Sequence, residues 1–351
     1  MKKNRIAVIV LLLLTGISLW IVFQEKSGTI SGEQKDFAVE DTASITKIHM
    51  KDKAGKEVTL ERAGDRWIVN GKYNARPDGI NLLLSTVRAL KVRNPAPKRA
   101  QNTIVKDLAT GAKKISIYSG DKLIKAYYMG TETQDMEGNY MLMVDPETGE
   151  NADMPFVVHI PGFQGYLSPR FFLGEQEWRD REVFRYKYAD LKSIKVDYYN
   201  SQDSSFVINS LGDNTFELLD AKGNRIADFD TAEVRQYVSY YYRLDYEGID
   251  NIPERTRDSL LLSNWVVTIS VTDAKNAIRT LRCYLKTPKS PDMTDRQGLP
   301  LKYDVDRMWA VVNGNEKEIV AIQYYVFGKT FVPIHRFFKR KHMKAPVSVK
   351  K

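Results

Sequence analysis

The chain has one cysteine, Cys283, and four histidines, His49, His159, His335 and His342, among its 351 residues. A lone cysteine excludes an intrachain disulfide. Its neighbours, Leu281-Arg-Cys-Tyr-Leu285, alternate as a strand does, so Cys283 reads as a small buried apolar residue and not as a reactive thiol. No two histidines stand at i, i+4 with a nearby glutamate, so the helical zinc-ligand pattern is missing; His49 and His159 fall within strand patterns. Also missing are a Gly-x-Ser-x-Gly elbow, a phosphate-cradling glycine loop and a dinucleotide fingerprint. The sequence therefore names no catalytic residue, no cofactor and no metal ligand, and the expectation is a protein that is not an enzyme. One stretch, Asp145-Pro-Glu147-Thr-Gly149-Glu150-Asn151-Ala-Asp153, is rich in oxygen donors. It departs from the spacing of the twelve-residue calcium loop and reads as a solvated hairpin.

A basic surface is missing too, although the net charge is +9. Lys2, Lys3 and Arg5 precede any acid, and Lys339, Arg340, Lys341, Lys344, Lys350 and Lys351 follow the last one. These nine residues account for the whole excess, so residues 6–338 balance to zero. A nucleic-acid binder carries its charge on a folded face, and that class is set aside here. The tail from Lys339 reads either as a solvated end or as a contact for anionic lipid or a partner's acidic surface.

Long apolar runs are confined to one place. Ile6 to Phe23 is an 18-residue stretch without a charge, which as a helix spans about 27 Å, close to the hydrocarbon thickness of a bilayer. It ends Trp20-Ile-Val-Phe23-Gln-Glu, without the small residues of a signal-peptidase site and without a lipoprotein cysteine. The expectation is an uncleaved signal anchor. Lys2, Lys3 and Arg5 keep the N-terminus cytoplasmic and send the rest across the bacterial inner membrane, to the periplasmic side.

What is present is a repetition. Ile45-Thr-Lys-Ile48-His-Met50, then Val58-Thr-Leu60, then Gly64-Asp65-Arg-Trp67 is echoed by Leu191-Lys-Ser-Ile194-Lys-Val196, Phe206-Val-Ile208 and Gly212-Asp213-Asn-Thr-Phe216. A helix follows each set. Ile80, Leu83, Leu84, Val87 and Leu90 form one apolar stripe behind Asp78; Val234, Tyr237, Val238 and Tyr241 form the other behind Asp230-Thr-Ala-Glu233, a capping-box-like start. Further strand patterns follow both helices. Tyr166-Leu-Ser-Pro-Arg170-Phe-Phe172 closes the first copy and Phe331-Val-Pro-Ile-His-Arg336-Phe-Phe338 the second. The fold class expected is α+β, as two tandem similar modules, each mainly antiparallel strands with one principal helix, after an N-terminal transmembrane helix. The divisions are a cytoplasmic stub at 1–5, the anchor at 6–23, a tether at 24–38, modules at 39–178 and 179–338, and the basic tail at 339–351.

The Ile-x-x-Ile-x-Met strand, the Val-x-Leu strand, Gly-Asp-x-Trp, the Asp-led helix and Arg179-Asp180-Arg181 ahead of the second copy resemble the bacterial family catalogued as domain of unknown function 4340. The resemblance covers most of residues 40–340 and rests on core patterns. It implies a membrane-anchored envelope protein that accompanies ABC-transporter-type or gliding-type assemblies. It carries over no functional residue.

Candidate contact residues come from the pattern alone. Tyr237 and Tyr241 share the core-facing stripe of the second helix, whereas Tyr240 and Tyr242 should point elsewhere, and exposed tyrosines suit interfaces. Arg170 and Arg336, each ahead of two phenylalanines, are matched candidates for an anionic group or for a structural role at each module's end. The function expected is a non-enzymatic accessory or scaffold protein that binds a protein partner and the membrane, through residues 6–23. The alternative is a hydrolase or ligand-binding module with a site in the cleft between the modules, where Asp180 or Asp228 would serve.

Overall fold

A computed structural model describes residues 13–16, 35–290 and 292–339. Residues 13–16 are helical; the rest of the expected anchor and most of the basic tail lie outside the described residues. Among the described residues no helix is long and apolar enough to cross a membrane. The chain divides between Asp180 and Arg181 into two compact units.

In the first unit, alternation builds the first strands. β1 (Lys47–Lys51) buries Ile48 and Met50, β2 (Glu57–Ala63) buries Val58 and Leu60, and β3 (Arg66–Val69) buries Trp67 and Val69. Every second side chain points one way along a strand, so the three antiparallel strands pool one apolar face. Asn70 and Gly71, both at positive φ (51° and 66°), turn the chain into β4 (Tyr73–Asn74). Helix α1 (Pro77–Ala89) lays Ile80, Leu83 and Val87 on that face. Its N-cap is Arg76, with Pro77 in the first turn, so the helix begins ahead of the Asp78 start read from the sequence; proline's fixed φ suits that position.

The rest of the unit is β5 (Lys91–Pro95), α2 (Gln101–Gly111), β6 (Lys113–Ser119), β7 (Lys122–Glu132), β8 (Asn139–Val144), β9 (Phe156–His159) and the one-turn helix α3 (Glu175–Trp178). The strands form one nine-stranded sheet in the order β4-β3-β2-β1-β6-β7-β8-β9-β5. α2 covers the opposite face through Ile104 and Leu108. It sits so close that a Cβ on Gly130 of β7 would meet Leu108 at 2.7 Å, which explains a glycine inside a strand. Phe37, ahead of the first strand, is buried against the rings of Tyr127 and Phe156 at 5.8 and 6.3 Å.

The second unit opens with a two-stranded ribbon of β10 (Glu182–Phe184) and β15 (Leu244–Asp245). Its main sheet is built from β11 (Leu191–Tyr198), β12 (Phe206–Gly212), β13 (Thr215–Asp220), β14 (Arg225–Ile226), β16 (Gly248–Asp250), β17 (Val267–Asp273), β18 (Ile278–Leu285), β19 (Arg307–Val312) and β20 (Ile319–Gln323). Their order, β14-β13-β12-β11-β17-β18-β19-β20-β16, is that of the first sheet strand for strand. Helix α4 (Thr231–Ser239) takes the place of α1; the Asp230 carboxylate accepts from the backbone N–H of Ala232 and Glu233 at 2.9 and 3.2 Å, an N-cap of the kind the sequence proposes. α5 (Glu254–Leu262) takes the place of α2, its Leu260 packing with Tyr284, Trp309, Val311 and Ile319 on the opposite face. α6 (Tyr324–Phe327) follows β20.

Mixed α+β architecture with mainly antiparallel sheets is thus as read from the sequence. The one-helix-per-module expectation is corrected: each unit carries a second helix, α2 or α5, on the other face of its sheet.

Candidate functional site

The principal helix and the chain end meet in both units, and here the arginine pair is decided. Tyr237 and Tyr241, in the second unit, fill the positions that Leu83 and Val87 hold in the first. Their hydroxyls lie 2.7 Å apart, and Tyr237 donates to the Thr330 carbonyl at 2.9 Å. Burial raises both phenols well above the usual range, so they stay neutral. In the first unit the smaller Leu83 and Val87 accompany a larger partner. The Arg170 guanidinium donates to the Thr86 hydroxyl at 3.1 Å and lies 4.2 Å from the Phe163 ring.

The end segments correspond otherwise than the Arg-Phe-Phe rhyme suggests. Phe171 and Phe331 each close a 3-10 turn, with N–H bonds to Ser168 and Gly328. The Trp178 and Phe337 carbonyls then accept from the residues that cap α1 and α4, Arg76 and Asp230, at 2.8 and 2.7 Å. The isolated bridges Ala75–Arg179 and Phe229–Phe338 follow. Arg170 therefore corresponds to Thr330, and Arg336 to Glu177. Arg336 instead pairs with Glu233 of α4 at 3.2 Å. Both arginines tie a chain end to a helix, by different means.

Tyr240 is half-buried, its ring against Tyr237 and beneath the Lys329 ammonium at 5.1 Å. Tyr242 is 65% exposed and makes no hydrogen bond or ring contact among the described residues. Of the four candidates it alone is free to meet a partner.

The first unit also holds a cleft of about 570 Å³ beside the β8–β9 connection, lined by Asp36, Lys122, Lys125, Met143, Asp145 and Asp153 among others. Lys125 donates to the Asp36 carboxylate at 2.9 Å and to its carbonyl at 2.6 Å. Asp145 accepts from the N–H groups of Thr148 and Glu147 at 2.9 and 2.7 Å, and these bonds hold its carboxyl below the usual range. The oxygen-rich stretch is thus a turn stabilised by its own first aspartate. Among the described residues no three His, Cys, Asp or Glu side chains are grouped to hold a metal ion. In the second unit the β19–β20 connection is the shorter segment 313–318, so the wall of this cleft is not repeated.

The remaining chemistry-bearing residues are committed locally. Cys283 is buried, its thiol pushed up by desolvation. His49 lies 3.5 Å from Glu57. Asp180 binds the Asn74 carbonyl through its backbone, and Asp228 pairs with Lys339. The sequence reading missed the cleft because Asp36, Lys125 and Asp145 are brought together only by the pairing of distant strands.

A search of protein-family models, of curated proteins and of solved structures finds no match to this chain.

Proposed function

We propose that the chain is an envelope accessory protein, anchored by residues 6–23 with its body on the periplasmic side, whose two tandem modules bind a protein partner without catalysis. The partner class is a membrane assembly of the ABC-transporter or gliding type, as the resemblance to domain of unknown function 4340 implies. The observation that carries this reading is a repeated framework on which most of the exposed polar groups differ between the two units. The strand order is the same in both sheets, and buried positions answer one another, as Ile48 does Ile194 and Ile80 does Val234. The acid-walled cleft, Arg170 and Tyr242 have no such counterparts. An enzyme needs one set of converging groups; a scaffold needs a rigid frame whose surfaces differ.

Affinity purification of the full chain from solubilised membranes tests it. A partner recovered in constant stoichiometry is the result expected, and recovery of the chain alone contradicts it. A second reading, a small-ligand module, is favoured by the cleft in the first unit. It requires that Lys122→Glu abolish saturable binding of some small metabolite while leaving partner recovery unchanged.

A further inference from the structure

The segment that leads into each core sits at one place on the framework and is held there unequally. Met50 pairs with Ile115 as Val196 pairs with Ile269, and Ile115 and Ile269 in turn face Tyr127 and Leu281. Tyr127 therefore corresponds to Leu281, and Lys125, two residues earlier, to Arg279. In the second unit Arg279 and Arg185 both pair with Glu182, whose side chain is 20% exposed, and Val183 behind it lies within β10, which pairs with β15. In the first unit Lys125 is the one base that holds Asp36 among the described residues, and Asp36 is 63% exposed. Phe37 belongs to no strand. Among the described residues one backbone hydrogen bond ties residues 36–39 to the rest of the unit, from the Val39 N–H to the Val87 carbonyl. A solvent-screened ion pair and a single backbone bond hold a segment lightly.

What lies beneath the lighter fastening differs too. The Phe37 ring packs against Tyr127 at 5.8 Å, and the Tyr127 hydroxyl is buried without a hydrogen-bond partner among the described residues. Leu281, equally buried, shows that the framework accepts an apolar side chain there. A buried hydroxyl with no partner penalises the closed arrangement, and lifting Phe37 relieves it by letting water reach the oxygen. Asp36 and Lys125 are also walls of the cleft, and so is Met143, which stands directly opposite Tyr127 across the β7–β8 pair. The movement that uncovers Tyr127 therefore also takes one wall from the cleft.

We propose that residues 36–39 are a strap that gates the cleft of the first unit. Seated, Asp36 walls the cleft and Phe37 covers Tyr127; drawn out, they leave the cleft open past Met143 toward the Tyr127 hydroxyl. In the anchored reading this strap is the first fixed point of the body after residues 6–23, so a pull between membrane and body acts on it before it acts on the sheet. The source of that pull rests on the proposed function, whereas the gating is a property of the first unit itself.

The test is amide exchange on the full chain in detergent, for wild type and Tyr127→Phe, together with thiol labelling of Met143→Cys, with and without Lys125→Ala. Residues 37–39 should exchange faster than β7 and faster than residues 183–184 of the second unit. Tyr127→Phe should slow exchange at 37–39 by about fivefold, because the seated strap no longer covers a bare hydroxyl. Lys125→Ala should speed labelling of Met143→Cys by about two- to fivefold, while the buried Cys283 stays unlabelled. Exchange at 37–39 as slow as in β7, or exchange in Tyr127→Phe that is unchanged or faster, overturns the strap. Labelling of Met143→Cys that is indifferent to Lys125→Ala overturns the gating. Both readouts use the chain alone, so their failure leaves partner recovery from membranes untouched, and failure to recover a partner removes the source of the pull without altering either readout.

Discussion

The ammonium group of Lys125 lies 2.9 Å from the carboxylate of Asp36, and one residue beyond that acid Phe37 enters the core of the first unit. Arg279 repeats the arrangement in the second unit, 2.5 Å from Glu182, with Val183 the buried residue that follows. The register places the two bases alike: Lys125 pairs with Ile117 on β6, and Arg279 with Val271 on β17. Each unit thus fastens the segment that leads into its core to the same place on its sheet.

Lys125→Ala is expected to loosen that fastening more than to unfold the unit. The lysine side chain is 16% exposed but Asp36 is 63% exposed, so solvent screens the pair and the loss of stability should be about 1 kcal/mol or less. The clearer sign is local. Amide exchange at residues 37–39 should accelerate, including Val39, whose N–H bonds the Val87 carbonyl at 3.2 Å. Unchanged exchange there would remove the fastening role.

Tyr237→Phe leaves the Thr330 carbonyl and the Tyr241 hydroxyl short of a buried partner, which costs about 1–3 kcal/mol. Tyr237→Leu, the residue of the first unit, adds a cavity and should cost more, about 3–5 kcal/mol by analogy with other aromatic truncations. Denaturant unfolding of the two variants reads the difference, and equal losses would count against the cavity argument.

Acid should weaken the β7–β8 turn. The Thr133 hydroxyl, the Glu137 N–H and the Arg93 guanidinium all donate to Asp135 and lower its carboxyl from 3.8 to about 2. A depressed pKa means that this support is complete above 3.8 and is lost as the pH falls toward about 2. Asp135→Asn should flatten the dependence of stability on pH across that window, measured by denaturant unfolding at several acid pH values. An unchanged slope would show that other carboxylates carry it.

Cys283 should be silent to thiol reagents in the folded protein and react fully in denaturant, because burial keeps its thiol protonated and covered. Rapid labelling of the native chain would show that β18 opens more readily than its hydrogen bonds suggest.

The sequence made the apolar periodicities plain. Ile48 and Met50 alternate, Ile80, Leu83 and Val87 recur at helical spacing, and both signals survive in the structure because burial imposes them. Helix α2 escaped notice because it buries only Ile104 and Leu108, and α5 because it buries only Leu260; a helix laid on the outer face of a sheet needs little apolar surface. The pairing of Arg170 with Arg336 followed a local rhyme, whereas the equivalence of Phe171 with Phe331 is set by backbone hydrogen bonds. Helical phase set Tyr240 and Tyr242 apart from the core stripe alike, yet in the 3-10 turn beyond α4 Tyr242 is exposed and Tyr240 is half-buried.

An experimental structure of the full chain, superposed unit on unit, tests the central claim that one framework occurs twice and that its surfaces diverge. The expected result overlays the two nine-stranded sheets in the same order, with Leu83 on Tyr237, Phe171 on Phe331 and Lys114 on Thr268. A different strand order in either unit, or a one-residue slip that turns Lys114 to the core face, would contradict it.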